Sequence, residues 1–279
     1  ITHFKIRGKK NWGRSAALIR RIDEARAAGI DVTMAQYPYT AGSTFLHVVI
    51  PPWYHSRGVD GLLRALREER GAIKHDLDTR MDWENFSQSV GWEKIFVSSV
   101  VSEANQPCVG KSISQIAAER GHADPADAAF DLLVEEQLAV GMISFGLDEA
   151  DITAIMRHPA VSFITDGLMS GRPHPRAYAP SPRILGRYVR EQGVLSLEEA
   201  VRKMTSLPAR KIRLRNKGVI AEGYDADLVV FDPDTVIDKN SYDDPRVHPA
   251  GIAHVLVNGV FVVEDAALTG ARPGRVIRD

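Results

Sequence analysis

The opening of the chain constrains its fold more than any other stretch. Ile1 to Ile6 alternates weakly, as at the end of a strand, and Asn11-Trp12-Gly13 is a turn. Residues 14–28 carry Leu18, Ile22 and Ala25 on one helical face, with Arg14, Arg20, Arg21 and Glu24 off it, and Gly29 is a natural stop. Ile30 to Tyr37 reads as the next strand. Strand, helix and strand within about 35 residues is the size of a βαβ unit, which carries a parallel strand pair. An α/β body is therefore expected.

The remaining pattern supports that class. Residues 40–93 are less regular, with Pro51-Pro52-Trp53, a helix at 59–70 and a charged stretch to about 85; they read as an excursion. Lys94 to Val101 is a strand, 111–120 a helix, and Asp124-Pro125 opens another helix that runs to 138. A strand at Met142 to Gly146, a helix at 148–157 and a strand at Val161 to Thr165 follow. Ser196-Leu197-Glu198-Glu199 is a capping box for a helix ending near Pro208. After residue 215 the character changes. Gly218 to Ile220, Asp227 to Asp232, His254 to Val257 and Val260 to Val263 are short β segments, with an Asn258-Gly259 hairpin signal.

Composition removes several classes of function. Thirty-five Lys and Arg balance 36 Asp and Glu, leaving a net charge of −1 and no global field for nucleic acid. The basic stretch Lys5, Arg7, Lys9, Lys10 and Arg14 is short and has only Phe4 and Trp12 as aromatic neighbours. A single cysteine, Cys108, excludes a disulfide scaffold and a cysteine zinc cluster. No apolar run approaches the roughly 18 residues of a membrane span and no signal peptide opens the chain, so a cytoplasmic location with no membrane partner is expected. The chain begins at Ile1 rather than Met, which calls for something removed or something else that completes it.

Chemistry in α/β folds gathers where strands end in polar residues. His3 ends the first strand and Asp166 ends the strand before Gly167. One imidazole and one carboxylate are suitable zinc ligands. Read alone, the first is also an ordinary hydrogen-bonded histidine and the second an ordinary turn residue. The loop from Asp166 to Arg176 contains two prolines, which hold a local shape able to aim Arg176 back at the strand end. A guanidinium there suits bidentate capture of a carboxylate. His174, between prolines, reads as scaffold, and the other histidines and Cys108 as structural or surface residues.

Four motifs occur in order: Thr2 to Ser15 (THFKIRGKKNWGRS), Tyr37 to Thr44 (YPYTAGST), Asp166-Gly167-Leu168 with Arg172 to Arg176 (RPHPR), and the tail Gly218 to Val236 with Val257-Asn258-Gly259 beyond it. Across essentially the whole chain they resemble the C-terminal part of the N-acyl-D-amino-acid deacylases, or D-aminoacylases, of the amidohydrolase superfamily. The resemblance implies the C-terminal part of a (β/α)8 metal-dependent hydrolase barrel over 1–212, with an insertion at about 45–93, and a segment of a small β-sandwich over 213–279. It implies metal ligation by His3 and Asp166, catalysis by Asp166, and substrate binding by Lys5, Tyr37, Ser43 and Arg176. One or two zinc ions, or another divalent metal, and an N-acyl amino acid substrate follow from it. Ala35-Gln36 departs from relatives that have an acidic residue two positions before the first tyrosine.

The family's His-x-His pair, its bridging ligand and its strand-five histidine have no counterpart here. One His and one Asp do not close a zinc site, which takes about three protein ligands plus water. The expectation is therefore a two-chain enzyme, active only with a partner chain that brings the N-terminal part and the remaining ligands. Another amidohydrolase activity (D-peptidase, cyclic-amide hydrolase or amidase) and a non-catalytic subunit retaining the fold are the alternatives.

Overall fold

A computed structural model describes residues 1–277. The opening unit is present, with one modification that bears on function. Ala35 donates its N–H to the Ile1 carbonyl (2.9 Å) and Phe4 donates to the Ala35 carbonyl (2.8 Å). The first segment thus runs parallel to strand β1 (Met34–Gln36), but the rung is stretched by one residue at His3. His3 takes a left-handed φ of 38°, so the expected regular strand is replaced by a bulged one. Helix α1 (Ser15–Ala27) makes the crossover, close to its expected bounds. Its N-terminus has no local side-chain cap. Instead the buried Asp151, on a later helix, accepts from the backbone N–H groups of Gly13 (2.8 Å) and Ser15 (3.1 Å).

Strand β2 (Ala41–Phe45) follows and opens a helical excursion. It comprises α2 (Pro52–His55), α3 (Gly58–Glu68), α4 (Arg70–Thr79) and α5 (Phe86–Val90). The charged stretch expected to about 85 is therefore largely helix. In α3 the residues Leu62, Leu63, Ala65 and Leu66 are buried, while α4 buries Ile73 and Leu77 between charged positions. Strand β3 (Ile95–Ser99) leads to α6 (Ile113–Arg120) and α7 (Pro125–Glu135). Ser112 and Gln115 form a reciprocal cap on α6, and Asp124 caps α7 ahead of Pro125 as expected. Strand β4 (Gly141–Phe145) is central to an antiparallel sheet in the order β2-β4-β3. Helices α2 to α7 cover that sheet around Leu46, Leu66, Ile95, Phe130, Leu133 and Met142.

Helix α8 (Glu149–Met156) precedes β5 (Val161–Phe163), which pairs in parallel with β1, Met34 opposite Val161 and Gln36 opposite Phe163. The first segment, β1 and β5 thus run side by side in one direction. Helices α9 (Pro180–Arg183), a wide π-type helical stretch (Ile184–Glu191), α10 (Leu197–Met204) and α11 (Ser206–Lys211) follow. Ser196 caps α10 as expected. A second core, including Ile22, Met34, Ile155, Val161, Tyr188 and Ala200, joins these helices to the parallel strands.

The tail is an antiparallel sheet, β6 (Leu228–Phe231), β7 (Ile252–Val257), β8 (Val260–Glu264) and β9 (Ala267–Leu268). The Asn258-Gly259 turn forms with φ of 49° and 78°, the two positive values that a tight type I′ turn needs. Gly218 to Ile220 does not form the expected strand; two apolar side chains in a row without a facing strand leave Ile220 exposed.

Candidate active site

The ends of the three parallel segments meet. Their last residues bring His3, Tyr37 and Asp166 to one edge, and the neighbouring turns add Lys5 and Arg176. Asp166, like His3, holds a left-handed φ, 47°. Non-glycine residues in that region carry strain of about 1–3 kcal/mol and cluster at functional sites.

Arg176 organises the cluster. It is 2% exposed, and its Nη2 contacts Asp166 Oδ2 at 2.8 Å and donates to the Ser43 carbonyl at 3.1 Å. Its guanidinium carbon lies 4.3 Å from the centre of the Tyr37 ring. The two-proline loop delivers it there: Pro175 starts a short 3-10 turn (Pro175–Ala177), and the His174 Nδ1 accepts from the Arg176 N–H at 3.0 Å. His174 Nε2 pairs with the Ala41 carbonyl at 3.0 Å, which ties the loop to β2. The imidazole sits edge-on against Tyr37, Tyr39 and Tyr242. His174 is thus the scaffold residue of the site.

Burial, and secondarily the Arg176 charge, push the His174 imidazolium pKa down to about 3. The folded state therefore binds no proton where the unfolded chain, with a pKa near 6.5, already does. The sign follows: this contribution is complete above about pH 6.5 and is lost as pH falls toward 3, by about 1.4 kcal/mol per pH unit. Melting temperatures between pH 7 and pH 4 should fall less steeply in His174→Gln than in the parent chain.

Lys5 Nζ donates to the His3 carbonyl (2.6 Å), lies 3.1 Å from His3 Nδ1, and sits 5.3 Å from the Tyr37 ring centre. Burial, followed by the neighbouring Arg7 charge, pulls its pKa down to about 8, so it remains mostly cationic at neutral pH. Tyr37 is pushed up by burial and stays a phenol. The Arg176 guanidinium lies beside that phenol without meeting hydrogen-bonding geometry. Tyr37 Oη and Arg176 Nε are both buried without a hydrogen-bond partner among the described residues. Buried donors are normally satisfied, so two orphans in one cluster call for an acceptor. Ser43 joins the cluster through its carbonyl. Pairing opposite Ile143 on β4 sets its side chain on the face away from Gly42 and Ser144.

His3 is exposed and its Nε2 makes no hydrogen bond among the described residues; Asp166 keeps Oδ1 free of the Arg176 contact. An imidazole nitrogen and a carboxylate oxygen at the open end of the strands suit zinc by donor chemistry. Among the described residues no group of three or more His, Cys, Asp and Glu gathers around a common point. The pair fits as part of a ligand set.

Comparison with known proteins matches residues 106–263 to the model of the Amidohydrolase family. The chain belongs to the amidohydrolase family. Over 279 residues it is 39% identical to the N-acyl-D-glutamate deacylase of Alcaligenes xylosoxydans xylosoxydans, covering 100% of this chain and 48% of that protein. It is 36% identical to a D-aminoacylase of the same organism, over 99% of this chain and 48% of that one. The crystal structure of the N-acyl-D-glutamate deacylase of Bordetella bronchiseptica, in complex with zinc and a phosphonate mimic of the tetrahedral intermediate, superimposes with a TM-score of 0.77 at 35% identity. That match covers 100% of this chain and 49% of the other. This amidohydrolase chain therefore spans about half the length of the curated relatives it matches, and its α/β fold is of the type seen in those deacylases. No helix among the described residues is long and apolar enough to cross a membrane.

In the sequence Arg7 is one member of a basic stretch. In the fold its Nη2 bonds Ser144 Oγ at 2.6 Å and its guanidinium lies 3.5 Å from the centre of the Phe86 ring, beside Tyr37. Nothing local in the sequence marks that placement.

Proposed function

We propose that this chain forms part of a zinc-dependent hydrolase that cleaves the amide bond of N-acyl-D-amino acids, releasing a carboxylic acid and a D-amino acid. The observation that carries the reading is the pair of unpartnered buried donors, Tyr37 Oη and Arg176 Nε, beside the Lys5 ammonium. Three donors converging on an aromatic ring suit the carboxylate of an N-acyl amino acid. The D preference is supported by the relatives named above.

His3 and Asp166 would hold metal together with ligands from outside residues 1–279. When bound, zinc supplies Lewis acidity at the acyl carbonyl and lowers the pKa of water. Asp166 takes the proton of the attacking water and hands it to the departing amine nitrogen, so that water is divided between the acid and amine products. Arg176, Lys5 and Tyr37 hold the substrate carboxylate, while Ser43 fixes Arg176 through its carbonyl. Residues 1–212 then correspond to part of a barrel, with 45–93 as an insertion, and 213 onward to a β-sandwich segment.

The test is a panel of N-acyl-D and N-acyl-L amino acids given to the assembled enzyme, with metal content measured in parallel. Hydrolysis of the D series that disappears on chelation and returns with zinc is expected. Hydrolysis unaffected by complete metal removal would overturn the reading.

A further inference from the structure

The Pro175–Arg176 peptide unit is held at both of its polar ends. Its N–H donates to His174 Nδ1 at 3.0 Å, and its carbonyl accepts from Asn240 Nδ2 at 3.0 Å. A peptide unit is planar, so a partner at each end fixes its orientation, and with it the direction in which the next side chain leaves the backbone. That side chain carries the guanidinium that reaches Asp166, the Ser43 carbonyl and the Tyr37 ring. The Pro175 carbonyl also accepts from the Tyr178 N–H at 3.1 Å, but that bond closes the local turn and moves with it. Asn240 ties the same carbonyl to a different part of the chain.

Asn240 comes from the connection between β6 and β7, which crosses the Arg176 loop. Two residues on, the Tyr242 carbonyl accepts from Arg172 Nε at 2.9 Å, and the Tyr242 ring packs edge-on against His174 at 5.0 Å and Phe145 at 4.7 Å. Both partners of the peptide unit are therefore steadied from one short stretch, Asn240 directly and His174 through Tyr242. The stretch is itself anchored to the α/β body. Asp238 pairs with Arg183 at 2.9 Å, Arg183 Nε donates to the Pro38 carbonyl at 2.8 Å, and Val236 is fully buried.

The Asn240 amide has one orientation that suits its neighbours. Nδ2 also donates to the Pro245 carbonyl at 3.1 Å, and two carbonyl acceptors demand the nitrogen on that side. Oδ1 is left buried without a partner among the described residues. An unanswered buried acceptor costs stability, which marks this side chain as one that serves placement.

We propose that Asn240 is a positioning residue: it sets the Arg176 guanidinium through the Pro175–Arg176 peptide, so that the β6–β7 connection takes part in gripping the substrate carboxylate. This rests on the N-acyl amino acid reading above. In a positioned site a misplacement of about 1 Å costs on the order of 10²-fold, so a small rotation of this peptide is enough to be felt.

Steady-state kinetics of the assembled zinc enzyme on an N-acetyl-D-amino acid tests the role. Asn240→Ala should raise KM by about fivefold, the scale of one neutral hydrogen bond, with kcat changed by less than about twofold. In an Arg176→Lys background the same substitution should change KM by less than about twofold, because the guanidinium it aims is gone; independent sites would add instead. Arg246→Ala removes an exposed donor from the same connection to the Gly171 carbonyl and should leave KM unchanged. The proposal is overturned by an unchanged KM in Asn240→Ala, by the full KM effect persisting beside Arg176→Lys, or by an equal rise in Arg246→Ala. If Asn240→Ala does not fold, Asn240→Asp keeps the shape, turns the donor into an acceptor facing two carbonyls, and is read on the same criteria. A parent that hydrolyses the substrate with a KM that Asn240→Ala matches sinks the Asn240 assignment alone. A parent inactive on every N-acetyl-D-amino acid removes the underlying reading, and this assignment with it.

Discussion

Asp166→Asn should lower kcat by about 10²–10⁴-fold, the range associated with a positioned proton-transfer group. The substitution keeps shape and one acceptor oxygen but cannot carry the proton between water and the departing amine. Asp166 is suited to that task because one oxygen is anchored by Arg176 at 2.8 Å and the other remains open. It is held at the strand end by a strained backbone, with φ at 47°. The check is steady-state kinetics on an N-acyl-D-amino acid alongside metal analysis of the same preparation. Loss of rate with metal retained is the expected result. Retention of most activity with metal retained would show that another group moves the proton.

Arg176→Lys should raise KM for the N-acyl-D-amino acid by about 10- to 100-fold, since a charge-assisted contact is worth about 1.5–3 kcal/mol and its planar fork is lost. Lysine keeps the charge, but its single nitrogen would be taken up by Asp166 and the Ser43 carbonyl, which Nη2 alone holds here, and would leave no second planar nitrogen for a substrate carboxylate. Thermal unfolding of the variant provides the control. Burial at 2% exposure means that some stability is also lost, so a lower melting temperature is expected beside the KM change. A lower melting temperature with an unchanged KM would assign Arg176 to the scaffold alone.

Local signals in the sequence carried much of this architecture. Helix α7 was bounded by Asp124 and Pro125, helix α10 by Ser196, and the tail hairpin by Asn258-Gly259, because each is set by chemistry within four residues. The start of α1 was located without its cause, since the capping carboxylate belongs to Asp151, far along the chain. The first strand was legible in its alternation but not in its bulge at His3, which pairing with β1 reveals. Arg176 was aimed correctly by its flanking prolines, whereas the part played by Ser43 depends on strand face, which residue type does not encode. Arg7 had no local signal at all, because its environment is assembled from Phe86, Ser144 and Tyr37 on three separate segments.

The left-handed backbone at His3 and Asp166 limits how far this protein can be hardened. Glycine tolerates that conformation without the Cβ penalty, so at both positions the backbone alone would favour it by about 1 kcal/mol. Selection for heat resistance alone would push both sites toward glycine, and each such step would remove an imidazole or a carboxylate from the strand ends. Thermostable descendants of this chain should therefore accumulate their gains in the helical excursion and the tail sheet, where the left-handed residues Asn258, Asp265 and Ala266 lie away from the site, leaving His3 and Asp166 untouched.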